Sequence, residues 1–159
     1  MKQVVYHIQI IGTMASSKFI PNFKMNNVIR INWEKHLLQK HYAFLEIKTN
    51  GNTLFCKGYC QPSDYSIQYV YKLIYNPNQS PAVYTVNPKI PYNEEIHMYP
   101  QDNRLCLYYP KDYSWTSASH LYNTIIPWTH EWFLYYELFQ ICGKWMHPSV
   151  SHAGTKNLL

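Results

Sequence analysis

A chain of 159 residues has the length of a single domain, and with 47% hydrophobic and 14% charged side chains it is far from the polar, highly charged composition of a disordered segment. It contains no run of about 18 apolar residues, so no membrane-spanning helix is expected. The net charge of +5 arises from scarce acids rather than from a cluster of Lys and Arg, so no basic stripe marks a phosphate-binding surface.

The opening MKQVVYHIQIIGTMASS has one Lys, a short apolar stretch and small residues, in the outline of a secretory signal. Tyr6, His7 and Gln9 interrupt the apolar part, so it reads as mature sequence of a cytoplasmic protein. Within the first fifty residues the clearest element is a helix over residues 32–44. There Trp33, Leu37, Leu38 and Tyr42 recur near the helical period, with Asn32 as the candidate cap. Asn50-Gly51-Asn52 then breaks the chain as a turn.

From Thr53 the pattern changes to strands. TLFCKGYCQPS, YSIQYVYKLIYNP and PAVYTVNPKI are three predicted strands, closed in turn by Pro62, by Asn76-Pro77-Asn78 and by Pro88 with Pro91. Turns this short imply an antiparallel meander. Residues 96–109 have no simple period and form a loop that leads into the apolar segment LCLYY. After Trp115 the period becomes helical, with Ser117 or Ser119 as a cap, Pro127 near a second helix start and Gly143 as the stop. The tail from residue 147 is polar and is expected to be loose. A helix, a meander, an irregular loop and further helices make a single α+β domain over residues 1–159.

Four cysteines stand at positions 56, 60, 106 and 142. Cys56 and Cys60 have C-x3-C spacing without a second close pair, which leaves a structural zinc without support. On one strand they lie roughly 13 Å apart, beyond disulfide reach. No metal site and no cofactor motif are expected. Cys106 differs in its context. His97 opens a turn-rich loop nine residues before it, Leu105 and Leu107 flank it, and Trp115 follows nine residues later. Taken alone, a Cys between two Leu reads as core packing; the ordered context is what turns the reading toward a nucleophile.

That order resembles the ubiquitin-conjugating (E2) proteins, in which a His-containing turn precedes a Cys in an x-C-L segment, followed by a Trp and a helix. It resembles still more the stand-alone E2-like proteins of bacterial anti-phage cyclic-oligonucleotide (CBASS) systems. The residues that carry the likeness are His97-Met98-Tyr99, Leu105-Cys106-Leu107-Tyr108-Tyr109-Pro110, Ile126-Pro127-Trp128 with Glu131-Trp132, Tyr135-Tyr136-Glu137 and Gly143-Lys144-Trp145, together with Gly58-Tyr59-Cys60-Gln61-Pro62. They cover roughly residues 54–146. The chain departs from the eukaryotic pattern in lacking Asn two places after His97, where those proteins carry an oxyanion-stabilising amide.

The resemblance implies a UBC-like fold, in which the meander is flanked by helices, and a thioester on Cys106. Its acyl donor would be the C-terminal residue of a cGAS-like nucleotidyltransferase, and any activation of that residue would fall to an E1-type protein acting in trans, because this chain has no nucleotide-binding glycine motif. Asn103 would replace the missing amide, and His97 would orient the loop or act as acid or base. A thiol in that role is expected to be accessible and near hydrogen-bond donors. Two alternatives stay open: an E2 variant that binds without using its Cys, and an aromatic-rich nucleic-acid binder whose 16 Tyr stack on bases.

Overall fold

The structure, a computed structural model, describes residues 26–108 and 115–147. The N-terminal stretch read as mature sequence, Tyr109 and Pro110 of the cysteine segment, and the tail after His147 lie outside the described residues.

Asn26 starts the first helix, α1 (Asn27–His41). Its side chain accepts the Val28 N–H at 3.0 Å and satisfies one of the orphan donors of the first turn. Lys40 lies in the last turn, where the helix dipole favours a cation. The helix expected from Asn32 thus begins upstream of it, and Asn32 is an exposed interior position. Hydrophobicity hid the inward face, which is formed by Arg30, Ile31, Glu34 and Leu38. Half of that face is charged, whereas Trp33, which fits the apolar period, is 49% exposed.

The Asn50-Gly51-Asn52 turn closes a hairpin, with Gly51 at φ 55, a backbone state open to glycine at little cost. It joins β1 (Glu46–Asn50) to β2 (Thr53–Cys60). β1 has no counterpart in the sequence reading. It is an edge strand of sequence EIKTN in which Ile47 alone is half-buried, so it offers no apolar alternation. β2 alternates cleanly, with Leu54, Cys56, Gly58 and Cys60 facing inward. β3 (Tyr69–Tyr75) and β4 (Ala82–Asn87) complete an antiparallel meander in the order β1-β2-β3-β4. β3 begins later than its apolar pattern suggests, because Ile67 stays 58% exposed in a turn tied by the Ser63 and Ser66 hydroxyls at 2.7 Å. A Cβ on Gly58 would come within 2.6 Å of both Leu45 and the Tyr71 hydroxyl, so that position has no room for a side chain.

The second long helix, α2 (Ile125–Cys142), lays Ile125, Ile126, Thr129, Trp132 and Phe133 inward at helical spacing. Phe133 stacks on Tyr69 at 4.7 Å, and His130 Nε2 meets the Tyr71 hydroxyl at 3.1 Å, which fixes the helix against β3. Pro127 occupies the first turn, where its missing N–H costs no bond, and Gly143 ends the helix at φ 69 with its N–H on the Phe139 carbonyl.

The separate serine-capped helix expected ahead of Pro127 does not form, because Ile125 and Ile126 already belong to α2 and only a short 3-10 turn precedes it. Ser119 Oγ accepts the Thr116 N–H instead, and no side chain caps α2 at Thr124. The carboxylate of Glu34, wholly buried on α1, takes over. One oxygen accepts the Leu121 N–H at 2.9 Å, at the start of a 3-10 turn (Leu121–Asn123), and the other lies 2.9 Å from Arg30 and 2.8 Å from His120 Nδ1. Arg30 also bonds the Ser119 carbonyl. A buried carboxylate is tolerated only when it is paired this fully. The result is a four-stranded antiparallel sheet with two α-helices, an α+β architecture as the sequence predicts. Among the described residues no helix is long and apolar enough to cross a membrane.

Candidate functional site

Beyond β4 the chain makes a 3-10 turn (Glu94–Ile96), capped by the Asn93 side chain on the Glu95 N–H at 2.8 Å. It leaves that turn through His97 in the left-handed region, φ 52. A short hairpin follows. Met98 bridges Leu105, the Tyr99 N–H bonds the Arg104 carbonyl at 2.9 Å, and the Asn103 N–H bonds the Tyr99 carbonyl at 2.9 Å. Asn103 has φ 59, a conformation that asparagine tolerates better than most residues.

Three contacts seat this hairpin on the framework. The Leu105 N–H bonds the Val83 carbonyl of β4 at 2.8 Å, the Tyr84 hydroxyl bonds Asp102 at 3.1 Å, and the Trp132 indole N–H bonds the His97 carbonyl at 3.2 Å. The same His97 carbonyl accepts the Cys106 N–H at 2.9 Å. The cysteine is therefore held through its backbone by the loop that precedes it, and that loop is held by α2.

The Cys106 sulfur lies 3.8 Å from the Tyr108 carbonyl. The Arg104 guanidinium sits over the Tyr99 ring, 4.2 Å from its centroid. Burial pushes the Cys106 thiol above its ordinary value, and the Tyr99 hydroxyl and the Arg104 charge pull it back. Tyr99 is itself pushed up to about 12, first by burial and then by the charge of Cys106. A small pocket nearby is lined by Ser80, Pro81, Tyr99, Arg104, Leu105, Leu107 and Tyr108, the residues on either side of Cys106 among them.

The sequence reading places His97 and Asn103 on an irregular loop that leads into the Cys106 segment, and the structure folds that loop into a hairpin that holds all three. It corrects the expected accessibility. Cys106 is 9% exposed, because its N–H turns inward to the His97 carbonyl and its flanking Leu105 enters the core. His97 reaches Cys106 through its carbonyl, and its imidazole stacks on Trp145 at 5.7 Å. Asn103 shapes the turn through its backbone.

Tyr99 and Arg104 went unassigned in the sequence. A signal for both was there: Arg104 precedes Cys106 by two residues, so strand geometry puts both on one face, and Tyr99 faces Arg104 across the turn. Trp115, read as packing, lies 6.1 Å from Tyr75 and 6.1 Å from Tyr108 and so backs the cysteine segment. Cys56 and Cys60 are free thiols on the inner face of β2, and Cys142 is free and exposed. Among the described residues no group of three or more His, Cys, Asp or Glu is placed to hold a metal ion.

Compared with families of known proteins, residues 34–153 match the family model described as Type II CBASS E2 protein. The matched span runs from within α1 past the end of α2 and includes the whole Cys106 hairpin. No curated protein matches the chain.

Proposed function

The chain belongs to the Type II CBASS E2 proteins and so has an E2-like role in CBASS, and we propose that it fills this role by carrying an acyl group as a thioester on Cys106. The observation that supports this most is the setting of that thiol. Of the three buried cysteines it is the one at which a tyrosine and a guanidinium oppose the upward push of burial, on a hairpin anchored to both sheet and helix.

In this reading the fold is UBC-like, and the acyl group is the C-terminal residue of a cGAS-like nucleotidyltransferase. An E1-type protein acting in trans activates that residue, and the conjugate formed primes anti-phage signalling. His97 supplies the carbonyl that fixes the Cys106 backbone, and Asn103 sets the turn whose polar groups face the reacting carbonyl.

The 9% exposure of Cys106 also favours a second reading, an E2-fold binding module in which the thiol packs and does not react. One experiment separates the two. With its activated partner, the wild type is expected to form a covalent species that thiol reductants remove. Cys106→Ser is expected to trap any adduct as a reductant-resistant oxyester, and Cys106→Ala to form none while melting within a few degrees of wild type. An unchanged yield of adduct in Cys106→Ala would rule the thioester out.

A further inference from the structure

We propose that Trp132 is a positioning residue for the Cys106 thiol, its indole N–H holding the His97 carbonyl that in turn fixes the cysteine. The inference rests on the thioester reading of Cys106 and adds to it a residue from a different element of the fold. The His97 carbonyl oxygen accepts two bonds, from the Cys106 N–H at 2.9 Å and from the Trp132 indole N–H at 3.2 Å, so both of its lone pairs are used. His97 stands at φ 52, a region that residues other than glycine keep only when their surroundings hold them there. Its ring is held as well, stacked on Trp145 at 5.7 Å with 18° between the planes. Gly143 has turned the chain back at the end of α2, which lays Trp145 against the Trp132 ring at 5.6 Å and against Phe139 at 6.4 Å. Trp132 is itself 3% exposed and stacked on Tyr136 at 5.4 Å, so its N–H is aimed by packing.

The cysteine segment thus has two anchors. Leu105 is tied to the sheet by its N–H on the Val83 carbonyl at 2.8 Å, and Cys106 is tied through His97 to α2. In acyl transfer the Cys106 thiolate, its proton released to water, attacks the carbonyl carbon of a partner's thioester. An S–C bond to Cys106 forms as the carbonyl π electrons move to oxygen. Their return breaks the S–C bond to the partner's sulfur, which leaves as a thiolate and takes a proton from water. Trp132 acts through His97 and takes no part in these proton and electron movements. Its contribution is the place of the sulfur relative to a carbon held by another molecule, where a displacement of about 1 Å costs as much as 10²-fold in rate. Without the indole donor the His97 carbonyl keeps one partner, and the turn that sets the Cys106 backbone loses its hydrogen bond to the helix. The thiol then gains freedom, which admits a small reagent more readily and makes directed attack slower.

The test uses a peptidyl thioester of 2-mercaptoethanesulfonate as acyl donor and iodoacetamide as a probe of access, both in a Cys142→Ser background that removes the exposed thiol. Trp132→benzothienylalanine keeps the shape of the indole and puts sulfur in place of its N–H. It is expected to lower the saturating rate of acyl transfer to Cys106 by about 10-fold, with the half-saturating donor concentration unchanged. Alkylation of Cys106 is expected to become faster in the same variant. Trp132→5-fluorotryptophan keeps the N–H and is expected to match the wild type in both assays. A wild-type saturating rate in the benzothienyl variant overturns the role. So does an equal loss in the fluoro variant, which assigns the effect to ring packing, and so do transfer and alkylation that fall together. Should the benzothienyl variant fail to fold, the wild type carries the test. Among the described residues the Trp115 and Trp145 indole nitrogens are buried with no hydrogen-bond partner. The Trp132 indole proton is therefore expected to exchange with deuterium more slowly than either, and exchange at their rate overturns the tie. A wild-type protein that is alkylated at Cys106 but never takes up the acyl group retires the thioester reading and the transfer role with it, and the alkylation rates then decide the tie alone.

Discussion

Cys56 is 2% exposed, opposite Leu73 on the inner face of the sheet, and Cys106 is 9% exposed on a hairpin that caps the sheet edge at β4. Burial pushes Cys56 up to about 12 and nothing opposes it, and Cys60, four residues along, is pushed up to about 11 by burial and then by the charge of Glu137. At Cys106 burial acts in the same direction, but a hydroxyl and a cation oppose it. The comparison teaches that two thiols of similarly low exposure can sit in different electrostatic surroundings. What sorts them is whether the surrounding polar groups stabilise the charged form.

The strongest way to break this comparison is to remove each thiol in turn. Cys106→Ala is expected to abolish acyl transfer, a loss of more than about 10²-fold, while Cys56→Ala transfers at the wild-type rate per folded molecule. Intact mass after a single turnover reads both, and equal losses in the two variants would erase the distinction. Next in size is the framework that orients α2 and hence Trp132 beneath the hairpin. Glu34→Ala leaves Arg30 without its buried partner and the Leu121 N–H without an acceptor. It is expected to cost about 3–5 kcal/mol in urea unfolding, and a cost below about 1 kcal/mol would show that the cluster is not the joint between α1 and α2.

Alkaline pH sharpens the contrast between the two thiol environments. Below pH 9 both folded and unfolded chains keep Cys56 protonated. As the pH rises from 9.0 toward about 12 the unfolded chain loses that proton first, so stability is lost over this window. The limit for Cys56 is roughly 4 kcal/mol at about 1.4 kcal/mol per unit. Cys56→Ala is therefore expected to flatten the fall of urea-unfolding free energy above pH 9 more than Cys106→Ala does, and equal slopes would place the two thiols in equivalent surroundings.

The smallest effect compares one substitution at both sites. A hydroxyl at position 56 is buried opposite Leu73, whereas at position 106 it lies near the Tyr108 carbonyl. Cys56→Ser is expected to cost about 1–3 kcal/mol and Cys106→Ser less than about 1 kcal/mol. Thermal melting of the two variants gives the order directly, and a reversal would mean that Cys106 packs as an apolar residue.

Much of this molecule was legible in one dimension because hydrophobic periodicity is a local property. The three strands from Thr53 onward, the Asn50-Gly51 turn and the Gly143 stop each depend on residues within a few positions of one another, and each is present, with β3 alone starting later than the pattern suggests. The neighbourhood of Cys106 was legible in the same way, since His97, Asn103 and the cysteine share one short hairpin. β1 was not, because an edge strand half-buries a single side chain and leaves no alternation to read. Nor was the true start of α1, whose inward face uses Arg30 and Glu34. Their burial becomes affordable only when the chain returns near residue 120 to supply His120 and the Leu121 N–H.

Ordering by sequence, then, determined the α+β class, the meander and the identity of the distinctive cysteine. Tertiary structure alone decided how that cysteine is presented. Its low exposure, its backbone tie to a His97 carbonyl that Trp132 also holds, and its polar company of Tyr99 and Arg104 all depend on contacts between segments far apart in the chain or across a turn. A thiol's reactivity is set by the free energy of a charge in its surroundings, and those surroundings exist only once the helix, the sheet edge and the hairpin have packed together.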